Sequence, residues 1–170
     1  MRVVTLAACL ALMASPSLRA QARPCRSGWP SLSAVDRTMM QAEVQAALDS
    51  LTDGWRRIDT TEILHFYLDS ARLAHNGRLG GMADLRAAWM RLGPRLQHQD
   101  IEPFQQVAFD VLSCDVVVVN WVNQWTFIFA DGHVVAPQTS ANTYVWVRRG
   151  TAWRIQSAHE SILNAPNAAR

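Results

Sequence analysis

The clearest candidates for chemistry lie near the end of the chain, in the β-rich stretch 153–162, which reads WRIQSAHESI. Strand alternation puts Trp153 and Ile155 on the same face as Ser157, His159 and Ser161. That face begins apolar and ends in hydroxyls and an imidazole. Because an imidazole titrates near neutral pH, His159 is the best candidate for a catalytic acid or base. A histidine held only by a neighbouring side chain is the alternative.

Two turn signals predict which side chains surround His159. If Asp131-Gly132 and Arg149-Gly150 are two-residue hairpin loops, three long strands pair in a defined register. In that register no Asp or Glu lies on the inner face. The side chains predicted to line a pocket there are Trp121, Asn123, Trp125, Gln138, Asn142, Tyr144 and Ser157. His75 and Tyr67 are added from the preceding half of the chain, and a concave apolar site with a few polar groups is typical of small-molecule binding.

Several of these candidates also have structural explanations. Trp121 and Trp125 fit a hydrophobic core as well as a platform for a flat ligand. His75 fits a solvated hairpin end as well as a partner for His159. Trp146 and Trp153 are assigned to the core.

Metal, cofactor and nucleotide chemistry find no support in the sequence. The five histidines show no metal-ligand spacing, and neither Cys25 nor Cys114 lies near a histidine. The sequence has no GxSxG, P-loop or GxGxxG motif, and Ser157 and Ser161 lack an Asp that could complete a triad. We therefore expect no metal and no cofactor.

The N-terminus has the form of a secretory signal peptide. Met1-Arg2 precedes an eleven-residue apolar run, and small residues allow cleavage near Ala20 or Ala22. We expect a signal peptide at 1–22, a Pro- and Ser-rich leader at 23–33, one domain at 34–165, and a secreted or periplasmic location. In an oxidising compartment Cys25 and Cys114 could pair, but sequence alone leaves this open.

Charge argues against polyanionic partners. Removing Arg2 and Arg19 leaves 14 arginines, and no lysine, against 14 acidic residues. A neutral chain without a basic run is unlike a protein that binds nucleic acid or an anionic membrane. The apolar N-terminal run is also too short to span a bilayer.

Three helices followed by strands predict an α+β fold. The first helix starts at a capping box of Ser33 and Asp36. Its apolar stripe is Val44, Leu48, Leu51, Trp55 and Ile58. A short second helix starts at Thr60 or Thr61, a hairpin turns at Asn76-Gly77, and a third helix ends at Gly93-Pro94. Four long strands follow, so we expect helices packed on a strongly curved antiparallel sheet.

The whole pattern resembles the NTF2-like superfamily, in particular its SnoaL-like and DUF4440-type domains. The residues that carry the resemblance are FYLDSARLAHNGRLGG (66–81), Ala88-Trp89, YVWVRRGTAWRI (144–155) and His159-Glu160-Ser161. The resemblance implies a cone whose pocket opens between helices and sheet, and often a homodimer formed through the sheet. A shared fold does not establish an activity.

Three functions remain open. The first is non-catalytic binding of a small, largely apolar molecule. The second is an isomerase, dehydratase or cyclase that uses His159 as general acid or base. The third is a dimeric interaction module, which predicts a filled cone without a cavity.

Overall fold

The computed structural model describes residues 32–163, which form three helices and a seven-stranded sheet. The helices are α1 (Ala34–Arg57), α2 (Thr60–His65) and α3 (Met82–Leu92), with a single 3₁₀ turn at Gly93–Arg95. The strands are β1 (Tyr67–His75), β2 (Arg78–Gly81), β3 (Leu96–Ile101), β4 (Gln105–Ser113), β5 (Val116–Phe129), β6 (Gln138–Arg149) and β7 (Ala152–Ile162). The signal peptide, its cleavage site and Cys25 lie outside the described residues.

Helix α1 starts where the sequence predicts. The Ser33 side chain accepts from the Asp36 amide, and the Asp36 carboxylate accepts from the Ser33 amide. The predicted stripe faces the sheet, and Val44, Leu48 and Leu51 are fully buried. Burial of one such side chain contributes roughly 1.5–3 kcal/mol. The packing of this stripe therefore fixes α1 across the sheet.

The segment after α1 differs in detail from its prediction. Asp59, rather than Thr60 or Thr61, caps α2 by accepting from the Glu62 amide. Helix α2 ends at His65, and β1 follows at once. Strands β1 and β2 pair as a hairpin around Asn76-Gly77, and both turn residues have positive φ angles of 48° and 79°. The predicted tight turn is therefore confirmed.

The sheet is mixed rather than wholly antiparallel. Its order is β2-β1-β7-β6-β5-β3, and β4 pairs with the first half of β5. All neighbours are antiparallel except β1 and β7, which are parallel. The prediction of an antiparallel sheet is wrong at this point, because it omitted β1 as a neighbour of the last strand. The α+β arrangement of helices on a curved, unclosed sheet is confirmed.

The register between β5 and β6 is confirmed. Trp121 lies opposite Asn142, Asn123 opposite Ser140, and Trp125 opposite Gln138. The connection is longer than predicted, because β5 ends at Phe129 and β6 begins at Gln138.

The predicted register between β6 and β7 is wrong for two reasons. The two-residue loop is Gly150-Thr151, since Arg149 pairs with Ala152. A β-bulge then adds one unpaired residue, Gln156, because Trp146 pairs with Ile155 while Val145 pairs with Ser157. The loop shifts the register by an even number of residues and preserves the faces, but the bulge reverses them.

The bulge decides which side chains face the helices at the end of β7. The side chains of Ala158 and Glu160 both face inward, and these two residues lie opposite Tyr144 and Asn142. His159 lies opposite Thr143 on the outer face and is exposed. The predicted inward position of His159 is therefore wrong.

Deletion of Gln156 tests the importance of the bulge. Removing this residue would turn Ala158 and Glu160 outward and bring His159 into the apolar interior. We expect the free energy of unfolding to fall by about 4 kcal/mol or more. Urea denaturation measures the change.

The matched control is Gln156→Ala, which keeps the extra residue and its register. We expect that substitution to cost no more than about 1 kcal/mol. Equal stability of the deletion and the alanine variant would show that the bulge does not determine the faces.

Candidate binding cavity

A cavity of about 600 Å³ lies between the helices and the inner face of the sheet. Its volume falls in the range of about 300–1,000 Å³ that is usual for small-molecule sites. The β1–β2 hairpin and α3 form one side of it, while β3, β5, β6 and β7 form the other. The filled cone expected of a pure interaction module is therefore not what the fold contains.

Seven aromatic side chains of residues 32–163 contribute to the cavity wall. The Trp121 ring meets Tyr144 edge-on, with ring centroids 4.7 Å apart, and Trp55 meets Tyr144 in the same way at 6.3 Å. Phe104 stacks behind Trp121 at 5.3 Å and holds the indole in place. The other aromatic residues on the wall are Tyr67, Trp89, Trp125 and Phe127. Such rigid surfaces suit a flat apolar ligand.

A buried polar group, here called the amide cluster, consists of Asn123, Ser140 and Asn142. The Asn123 carbonyl oxygen accepts from the Asn142 amide at 2.9 Å, from the Ser140 hydroxyl at 3.1 Å and from the Trp121 indole N–H at 3.2 Å. Both asparagines line the cavity, and each is 6% exposed. The cluster places hydrogen-bonding groups at the centre of an aromatic wall.

Gln99 adds a second buried amide on β3. It is 8% exposed and lines the same cavity beside Ile101. Its side chain has no hydrogen-bond partner within residues 32–163. A ligand in the cavity can therefore bond to this amide.

Two tyrosine hydroxyls face each other in the wall. The hydroxyl groups of Tyr67 and Tyr144 lie 3.4 Å apart, and both rings are buried. Burial raises the pKa of both phenols well above the ordinary value, since a phenolate would lose its hydration. Both therefore stay protonated at neutral pH and act as hydrogen-bonding hydroxyls, not as bases.

An ionisable pair, here called the rim pair, lies at the cavity mouth. His75 Nδ1 is 3.0 Å from a Glu160 carboxylate oxygen, and both residues line the cavity. Register explains the meeting, because Asn142, Glu160 and His75 lie side by side on β6, β7 and β1. The hydrogen bond to Glu160 raises the pKa of His75, although partial burial opposes the shift.

The turn residue Asn76 orients the rim pair. Its side-chain oxygen accepts from the Ile162 amide at 2.8 Å, and its side-chain nitrogen lies 3.2 Å from His75 Nε2. With Nδ1 bonded to a carboxylate, the proton sits on Nδ1 and Nε2 carries the basic lone pair. The pair therefore has the geometry of an oriented base at the entrance to the cavity.

The structure brings most of the predicted site residues together. Seven of them line the cavity: Tyr67, His75, Trp121, Asn123, Trp125, Asn142 and Tyr144. Gln138, Ser157 and His159 do not line it. Gln138 bonds to the Ala136 carbonyl at the start of β6, Ser157 follows the bulge, and His159 lies near Ser161 on the outer face.

Sequence reasoning missed four polar residues of the cavity, namely Arg78, Asp84, Gln99 and Glu160. The predicted register puts Glu160 on the outer face, so the expectation of an inner face without Asp or Glu is wrong. No local sequence signal identifies Gln156 as a bulge residue, so the predicted register assigned the residues after it to the wrong faces. Gln99 and Ile101 lie two residues apart on the same face of β3, so recognition of this strand in the sequence would have identified Gln99.

Other features of the described chain complete the description. Among residues 32–163, no three His, Cys, Asp or Glu side chains cluster in a way that could hold a metal ion. No helix in the same range is long and apolar enough to span a bilayer. Cys114 is buried and disulfide-bonded, while the question of Cys25 as its partner lies outside the described residues.

No family model matches this sequence, and no curated protein matches it either. Solved structures do match in three dimensions. The hexachlorocyclohexane dehydrochlorinase LinA-type3 from Novosphingobium barchaimii superposes with a TM-score of 0.63 at 15% identity, over 81% of this chain and 97% of that one.

Two further structures match over a similar length. An NTF2-like (nuclear transport factor 2) superfamily protein from Salmonella enterica gives a TM-score of 0.64 at 14% identity, over 78% of this chain and 97% of that one. A ketosteroid isomerase-like protein from Erwinia carotovora gives 0.59 at 20% identity, over 74% and 96%. The chain therefore has the NTF2-like fold.

The titration of His75 tests the rim pair. We expect the pKa of His75 to exceed its ordinary value of about 6.5, and to fall when Glu160→Gln removes the carboxylate. Proton NMR across the pH range measures both values, with His75→Gln identifying the resonance. The variant Glu102→Gln, an exposed carboxylate outside the cavity lining, serves as the control and should leave the titration unchanged.

The same pair predicts the direction of a pH effect on stability. A raised pKa means that the folded state binds the proton more tightly than the unfolded state. The stabilisation of the folded state is therefore complete below about pH 6.5 and is lost as the pH rises through the pKa of His75. The unchanged protein should therefore be more stable than Glu160→Gln below this pKa, and the difference should shrink as the pH rises through it. A difference in stability that did not shrink would contradict the pairing.

Proposed function

We propose that this protein binds a small, largely apolar, flat molecule in the cavity between its helices and its sheet. The observation that carries the proposal is the aromatic wall around buried amides, two of which, Asn123 and Asn142, lie at its centre. Apolar walls provide affinity and a few oriented polar groups provide selectivity. In a closed hydrophobic core, by contrast, amides of this kind would be costly to bury.

Location and assembly belong to the same proposal. A signal-like N-terminus supports secretion to the periplasm, with cleavage near Ala20 or Ala22. The outer sheet face carries Asn120, Thr143 and Arg154, and it is where we propose that two copies associate. The order of the sequence elements supports placement with the DUF4440-type domains.

Native mass spectrometry of protein purified from the periplasm tests all three points. We expect a mass that lacks the first 20 or 22 residues, a dimer, and a retained small molecule. Ala88→Trp places a bulky ring on the cavity wall and should reduce ligand retention at least about tenfold by occupying the space.

The neighbouring Ala87 supplies the matched control for that substitution. It is exposed on α3 and does not line the cavity, so Ala87→Trp should retain the ligand as the unchanged protein does. Equal retention by both variants would show that the molecule binds elsewhere.

The rim pair favours a second candidate function, an isomerase, dehydratase or cyclase that moves a proton. His75 takes the role expected of His159, because it lines the cavity and is oriented by Glu160. Among the matching structures, the dehydrochlorinase is named as an enzyme, so the fold is compatible with such chemistry. Proton abstraction would require the Asn76 side chain to release His75 Nε2.

Exchange of ligand protons with deuterated water distinguishes the two functions. If His75 is a base, His75→Gln should slow exchange of an acidic C–H proton by about a hundredfold or more and leave the dissociation constant nearly unchanged. NMR of the retained ligand follows the exchange. If exchange has the same rate in both proteins, His75 is not the base, and binding remains the proposed function.

A further inference from the structure

Within the amide cluster, the Trp121 indole determines which way each asparagine points. An indole N–H can only donate a hydrogen bond. The Asn123 atom 3.2 Å from it must therefore be the carbonyl oxygen. The same oxygen accepts a hydrogen bond from the Ser140 hydroxyl, which is consistent with this orientation of the Asn123 amide.

The orientation of Asn123 then determines that of Asn142. The Asn142 atom 2.9 Å from the Asn123 oxygen must be a donor, so it is the amide nitrogen, which also lies 3.0 Å from the Ser140 hydroxyl. A single donor-only group thus orients both amides. Neither asparagine is free to exchange its oxygen and nitrogen.

Two groups in the cluster are left without a partner. Within residues 32–163, the Asn123 side-chain nitrogen and the Asn142 side-chain oxygen bond to no protein group. Both side chains line the cavity and are more than nine-tenths buried. The amide cluster therefore presents one fixed donor and one fixed acceptor to the cavity.

We propose that the amide cluster recognises a neutral ligand group that both accepts and donates a hydrogen bond, such as a ring hydroxyl or a carboxamide. The inference rests on the proposed binding function and names its ligand class. The group accepts from Asn123 and donates to Asn142, while the rings of the ligand lie along Trp121. A carboxylate fits poorly, because it only accepts, and Glu160 lies next to Asn142 across the sheet.

A matched series of two-ring probes tests this recognition by equilibrium dialysis. The hydroxyl of β-naphthol can donate and accept, the ether of β-methoxynaphthalene can only accept, and β-methylnaphthalene can do neither. We expect affinity to fall in that order, with β-naphthol at least about tenfold tighter than β-methylnaphthalene, since the analogue leaves two buried groups unpaired.

Variants test whether the preference for β-naphthol depends on the amide cluster. Asn142→Leu removes the acceptor at similar volume and should reduce the preference for β-naphthol over β-methoxynaphthalene to about twofold or less. Trp121→Phe removes the orienting N–H but keeps an aromatic ring, and it should weaken the same preference by a smaller factor. Asn120→Leu is the control, because Asn120 lies on the outer face of the same strand and bonds to Thr143.

The outcomes separate this inference from the function on which it rests. Binding of all three probes with equal affinity would overturn the recognition proposal and leave apolar binding intact. Binding of none would overturn both. If Asn142→Leu fails to fold, as judged by circular dichroism, Trp121→Phe decides, and an unchanged preference in that variant would overturn the proposal.

Discussion

One unpaired residue in the last strand controls the chemistry of the cavity. Side chains alternate along a strand, so the Gln156 bulge exchanges the inward and outward sets beyond it. Glu160 comes to face His75, and His159 turns to solvent. Without the bulge the cavity would have no carboxylate from β7. The candidate acid–base pair thus depends on backbone geometry as much as on residue type.

The cavity also depends on a difference in packing between the two ends of the sheet. At one end the stripe of α1 closes over Trp146, which is fully buried in the core. At the other end α3 and the β1–β2 hairpin stand away from β5 and β6 and leave space. The packed end stabilises the fold, so the open end can carry buried amides that a continuous core would not tolerate.

Much of the fold follows from local signals that tertiary contacts do not override. The capping box at Ser33 starts α1, and Asn76-Gly77 turns the first hairpin, because both depend on neighbouring residues alone. The register of β5 against β6 was also predictable, since residues 131–132 do mark the reversal between those strands and the pairing is regular beyond it. These elements place Trp121, Asn123 and Asn142 on one face. Turn signals and strand alternation are thus enough to identify the candidate amides of that face.

The sequence by itself determined the class of fold and the aromatic and amide character of the inner face, because periodicity and turn chemistry are local properties of the chain. Only the tertiary structure decided that β1 lies beside β7, that Gln156 is unpaired, and that His75 meets Glu160 across strands 85 residues apart. These outcomes depend on which strands become neighbours and on how the sheet curves. Both result from packing the whole chain at once, so no short stretch of residues specifies them.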